Sequence, residues 1–184
     1  MNNIITKINK IIKEDFDKDF FLEKRNPIVI SHINKKIQHF QKHLDDNYIA
    51  NLISKMENQF PKAKVEDHTQ FFNLDRCLRI SITLNPTLRF ICLVSIYDFF
   101  CVYQHPLYLE NDKYIFGEVR IINESEIKIC DELYNIFKSY FKNIIWIKRD
   151  ILTKIHSEFT FEISKINLIE RISIMDILFT NHYI

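Results

Sequence analysis

Glycine is nearly absent: Gly117 is the single one in 184 residues, where ordinary usage of about 7% would give roughly a dozen. Glycine lets backbone approach a phosphate closely and lets loops take positive φ. Phosphate-cradling loops, dinucleotide fingerprints and strained Gly-x-Ser-x-Gly elbows depend on it. A chain with one glycine contains none of those motifs. Its richness in Ile, Asn, Lys, Phe and Tyr points to an AT-rich genome, which accounts for the composition, while the absence of those motifs still stands.

Charge of one sign is missing too. Twenty-five Lys and Arg face 24 Asp and Glu, a formal net charge of +1. No global field draws such a chain to nucleic acid or membrane. Long apolar runs are also lacking. The most apolar stretch, residues 88–103, is interrupted by Arg89 and Asp98, so it reads as core strand and not as a membrane span. Residues 1–21 alternate apolar side chains with Lys7, Lys10, Lys13, Glu14 and Asp15. That pattern has no uninterrupted h-region and reads as a helix of the domain, not as a signal peptide. The four cysteines, Cys77, Cys92, Cys101 and Cys130, show no C-x-x-C spacing. They are expected to be structural free thiols in a reducing, cytoplasmic setting.

What is present describes an α+β protein. Hydrophobic residues make up 47% of the chain, enough for a substantial core, and no linker divides it, so residues 1–184 read as a single domain. Ile4, Ile5, Ile8, Ile11, Ile12, Phe16 and Phe20 recur at helical steps. Asn26-Pro27 is a cap followed by a first-turn proline and opens a second helix with Ile30, Ile33, Ile37, Phe40 and Leu44 on one stripe. Asp45-Asp46-Asn47 interrupts that helix and caps a third, which Pro61 ends.

Alternation then takes over. Leu78, Ile80, Ile82 and Leu84 alternate with Cys77, Arg79, Ser81 and Thr83. After the Asn85-Pro86-Thr87 turn the chain returns through Leu88, Phe90, Cys92 and Val94. Pairing of Leu84 with Leu88 puts both apolar sets on one face, and Ile91 and Leu93 on the other face make this second strand central. Further strands are expected near 99–103 and 114–122, the latter after a Glu110-Asn111-Asp112-Lys113 turn, and a helix over 126–142. The expected architecture is N-terminal helices on a mainly antiparallel sheet of about four strands, followed by a C-terminal helix. From residue 144 onward the pattern does not separate helix from strand.

Three constellations bear on function. His32, His39 and His43 line one face of the second helix, roughly 100° round from its apolar stripe. His39 and His43, at i and i+4, have the spacing of a shared metal ion, with Asp46 a turn further on. The zincin general base is missing, because Phe40 and Gln41 follow His39 where Glu would stand. The stripe therefore reads as a polar flank, with no metal or cofactor expected. A metal-dependent enzyme using His39 and His43 is the alternative.

The second is a crowd of carboxylates, Glu110, Asp112, Glu118, Glu124, Glu126, Asp131 and Glu132, with few bases among them. Acids at a helix start favour the macrodipole, and the same cluster reads as a face for a basic protein partner. The third is Arg76, Arg79 and Arg89 around the first hairpin, near Phe71 and Phe72. Ion pairing on a sheet face accounts for them, and nucleic-acid binding is the alternative.

With 16 Phe and 8 Tyr, an acidic segment and no nucleophile signature, the expectation is a protein-binding protein and not an enzyme. By analogy of class, small bacterial α+β proteins of this kind include immunity proteins. Such a protein would neutralise a toxin by occluding its active site, an acidic face meeting a basic cleft.

Overall fold

The structure, a computed structural model, describes residues 2–16, 26–71, 75–105, 107–110, 113–116, 124–152, 155–163 and 168–179. Three helices open the chain: α1 (Asn2–Asp15), α2 (Pro27–His43) and α3 (Asp46–Gln59). The caps fall where the sequence puts them. Asn26 Oδ1 accepts from the Ile28 amide at 3.0 Å, and Asp45 Oδ1 from the Tyr48 amide at 2.7 Å. Each satisfies a first-turn N–H that has no partner within its helix. Phe20 of the first stripe lies outside the described residues.

The main sheet has five strands. β1 (Lys64–Asp67), β2 (Cys77–Asn85), β3 (Leu88–Ser95) and β4 (Phe99–His105) are antiparallel neighbours, and β7 (Ile145–Trp146) runs parallel to β4. β3 is central, as its apolar residues on both faces require. The β2–β3 hairpin corrects one detail: Leu88 pairs with Asn85, and the register shifts between Thr83 and Asn85. Leu84 is the extra residue of this bulge. Leu78, Ile80 and Ile82 still stand opposite Val94, Cys92 and Phe90, so the expected shared face survives. At the β3–β4 turn Asp98 takes φ 61°, a conformation that Asp tolerates better than most residues.

The strand expected over 114–122 does not join this sheet. Its described part is β6 (Lys113–Phe116), which pairs with β5 (Leu107–Glu110) in a separate two-stranded sheet, and residues 117–122 lie outside the description. Edge positions in the main sheet go instead to β1 and β7, strands of four and two residues that are too short for an alternation to announce. The expected late helix is α4 (Glu124–Tyr140). After it the described residues hold both strand and helix: β8 (Ile155–Ile163) pairs with β9 (Leu168–Ser173), flanked by the short helices α5 (Arg149–Leu152) and α6 (Ile174–Leu178).

Both faces of the sheet are covered. On one, Cys77, Ile91, Leu93, Phe99, Cys101 and Tyr103 pack with Ile8 and Ile12 of α1, Ile33 and Ile37 of α2, and residues of α5 and α6. On the other, Leu78, Ile80, Ile82, Phe90, Cys92, Val94, Phe100 and Val102 meet Leu52 and Met56 of α3 and Cys130, Leu133, Ile136 and Phe137 of α4. α2 contributes to both, with Leu44 just past its end joining the second cluster. Two apolar faces need two covering layers, and α3 and α4 form one of them. No helix among the described residues is long and apolar enough to cross a membrane.

Candidate functional site

Three places on this frame gather polar side chains. The first lies on the α1/α2 face of the sheet, where Arg79, Ser81 and Arg89 share a side. His68 Nε2 is 2.9 Å from Ser81 Oγ and 2.8 Å from Arg89 Nη2, and the same Nη2 is 3.1 Å from Ser81 Oγ. A guanidinium only donates, so His68 accepts at Nε2 and is neutral, its proton on Nδ1. Burial lowers the His68 pKa, and the charge of Arg89 lowers it further, while Glu66 and Asp67 oppose. The Ser81–His68 contact has the length of a nucleophile–base pair, but Ser81 is fully buried on a central part of the sheet and out of a substrate's reach.

Arg79 Nη2 donates to Asp75 Oδ2 at 3.2 Å, both side chains inside the protein. Arg76 sits elsewhere. It donates through Nε to the Ile177 carbonyl at 3.0 Å and through Nη2 to the Asp176 carbonyl, with its guanidinium over the Phe16 ring. Arg76, Arg79 and Arg89 are 0%, 4% and 8% exposed. They are structural cations, not a surface for phosphates. Phe71 is half-buried against both cores, and Phe72 lies outside the described residues.

His68 makes stability pH-dependent in a fixed direction. The unfolded chain takes up this proton near the ordinary value of about 6.5, and the folded protein only at lower pH. The stability due to a neutral His68 is thus full above about pH 6.5 and is lost as pH falls through the folded pKa. Urea unfolding of the wild type and His68→Gln between pH 8 and 5 is expected to show the wild type losing the larger share of its stability on acidification. Parallel curves would show that the His68 proton is not linked to folding.

The second place is α2. His32 is not part of a trio: its Nε2 is 3.0 Å from Asp15 Oδ1, and Lys36 Nζ donates to Asp15 Oδ2 at 2.5 Å. This buried carboxylate ties the end of α1 to α2. His39 and His43 do meet, with Nε2 atoms 3.2 Å apart and rings nearly perpendicular at 85°.

The third is the acidic segment. Asp112 and Glu118 lie outside the described residues, and Glu110 and Glu124 are described only as backbone ends of β5 and α4. Glu126 is buried, Asp131 is exposed, and Glu132 is half-buried, accepting from Gln59 Nε2 at 3.3 Å. α3 holds this helix from behind: Tyr48 Oη donates to the Tyr140 carbonyl at 2.8 Å and Lys55 Nζ to Ser139 Oγ at 3.0 Å. The outer stripe of α4 is Ile127, Asp131, Asn135 and Lys138, all exposed. Ile127, 46% exposed, is the residue that the sequence reading missed. In sequence it looks like any other member of an apolar helix, and only the packing shows that it faces outward.

The four cysteines are free and buried. Burial pushes Cys77 and Cys130 up to about 12 and raises Cys92 and Cys101 well above the usual thiol range. Thiols of this kind are not ionised at neutral pH and pack as small hydrophobes.

No protein-family model matches the chain, and neither a curated protein nor a solved structure does.

Proposed function

We propose that this protein acts by binding another protein through the outward face at the start of α4. The observation that carries the reading is Ile127, a large aliphatic side chain 46% exposed, with exposed Asp131 one turn further along and Glu124 at the head of the helix. An apolar anchor with the Asp131 carboxylate a turn away suits a partner that offers an apolar pocket bordered by basic groups. The helix beneath packs on the sheet through Cys130, Leu133, Ile136 and Phe137, and a face already held in place needs less ordering on docking. A toxin with a basic cleft, neutralised by occlusion, is one partner of this kind. A reducing compartment such as the cytoplasm fits the four buried free thiols.

The experiment is affinity capture from the native cell lysate at moderate salt, comparing wild type with Ile127→Asp. The expected result is one partner in stoichiometric amount with the wild type and at least tenfold less with the variant, as for the loss of an interface anchor worth about 2 kcal/mol. Equal recovery by both proteins, or no partner with the wild type, would overturn the reading.

A further inference from the structure

We propose that His39 and His43 form a two-ligand site for a first-row divalent cation of the zinc, nickel and copper kind. The inference is independent of the α4 reading.

Both residues are exposed, one turn apart on α2, and their Nε2 atoms stand 3.2 Å from each other. That separation is informative. Imidazole nitrogens bind such metals at about 2.0–2.1 Å, so two of them 3.2 Å apart subtend about 100° at a shared ion. This angle lies between the octahedral and tetrahedral values, so chelation needs little rearrangement of either ring.

Position on the helix adds a second argument. His43 is the last residue of α2, beside Lys42. A cation held there meets the negative end of the helix dipole and the carbonyls of the last turn. A metal clip between i and i+4 also holds that turn in helical form.

Ligand chemistry selects the metal. Two neutral imidazoles suit zinc, nickel and copper and are poor hosts for magnesium or calcium, which take oxygen donors. Among the described residues no group of three or more His, Cys, Asp or Glu is arranged to hold a metal. The site therefore offers two protein nitrogens and leaves the other positions to water or to a group from another molecule. Neither Phe40 nor Gln41 supplies a carboxylate base, so the assignment is to binding and includes no hydrolytic step.

The test uses the full chain at pH 7.5. Zinc, nickel and copper are titrated by calorimetry into wild type, His39→Asn, His43→Asn and His32→Asn. Copper at one equivalent is also read by electron paramagnetic resonance for the number of nitrogen donors. The expected result is one ion per chain with two nitrogens on copper. Affinity falls more than about tenfold in His39→Asn and in His43→Asn, beyond what the loss of even an outer partner costs, and stays unchanged in His32→Asn. Absence of binding by all three metals would overturn the assignment, as would binding that both His39→Asn and His43→Asn retain.

Discussion

Arg76→Ala is expected to destabilise the protein by about 3–5 kcal/mol, through charge-assisted hydrogen bonds lost and a large side chain removed from a closed interior. Arg76 has no exposed surface. Its guanidinium reaches across the fold to the carbonyls of Asp176 and Ile177 in α6, and its backbone amide donates to the Phe179 carbonyl at 2.9 Å. The short helix α6 ends against this residue and against Ser95, whose hydroxyl donates to the Leu178 carbonyl at 2.5 Å. Carbonyls at a helix end have no partners within the helix, so removing the arginine takes the side-chain donor away from the buried Ile177 carbonyl.

Arg76→Lys is expected to recover only part of the loss, because a single ammonium does not reproduce a planar fork that spans two carbonyls. Arg76→Met restores most of the volume without the donors, and so separates packing from hydrogen bonding. Urea denaturation of all three variants checks the account. A loss below about 0.5 kcal/mol for Arg76→Ala, no more than a typical surface change, would show that α6 is held by its apolar residues alone.

Phe100→Ala is expected to cost a similar amount, about 3–5 kcal/mol, the range for a phenylalanine removed from a closed core. Phe100 is fully buried on β4, opposite Val94 of β3 and Trp146 of β7. Its ring centroid lies 5.1 Å from that of Phe137, 5.5 Å from Tyr134 and 6.1 Å from Trp146. These distances are typical of favourable aromatic pairs. Four rings from β4, α4 and β7 thus share one contact, and α4 rests on it. The variant is expected to loosen the docking of α4 as well as to lower the midpoint. Hydrogen exchange along residues 124–140 is the readout: faster exchange there than in α1 supports this placement, and a uniform change along the chain contradicts it.

Much of this fold can be read from residue types, and the limits have physical causes. The helix starts at Asn26-Pro27 and Asp45 were legible because caps are local chemistry: a short side-chain acceptor serving the next amides. β2 and β3 were legible because their alternation runs over nine and eight residues, and the central place of β3 followed from apolar residues on both its faces. β1 and β7 were not legible, because Lys64–Asp67 and Ile145–Trp146 gain strand form from neighbours in space and not from their own pattern. The same holds for β6, whose Tyr114 and Ile115 look like sheet residues without saying which sheet they join.

The sites divide in the same way. Spacing placed His39 and His43 on one line of α2, but it is the fold that brings their two Nε2 atoms together while His32 turns to Asp15. The hairpin arginines looked like a possible surface because arginine is rarely buried. Arg79 meets Asp75 four residues away, but the Ile177 carbonyl that Arg76 reaches and the Ser81 hydroxyl that Arg89 meets on the neighbouring strand are tertiary partners. Glu126 and Asp131, alike in sequence, end up on opposite sides of α4, one buried and one exposed.

The most direct test of the binding account is quantitative capture from the native lysate with four proteins: wild type, Ile127→Asp, Asp131→Lys and, as a control on the neighbouring helix, Glu57→Lys. Glu57 is exposed on α3, away from the outer stripe of α4. The account predicts one stoichiometric partner that is held equally by wild type and Glu57→Lys and is lost from both α4 variants while their folding is unchanged. A partner retained by the α4 variants, or lost equally from the control, would contradict it.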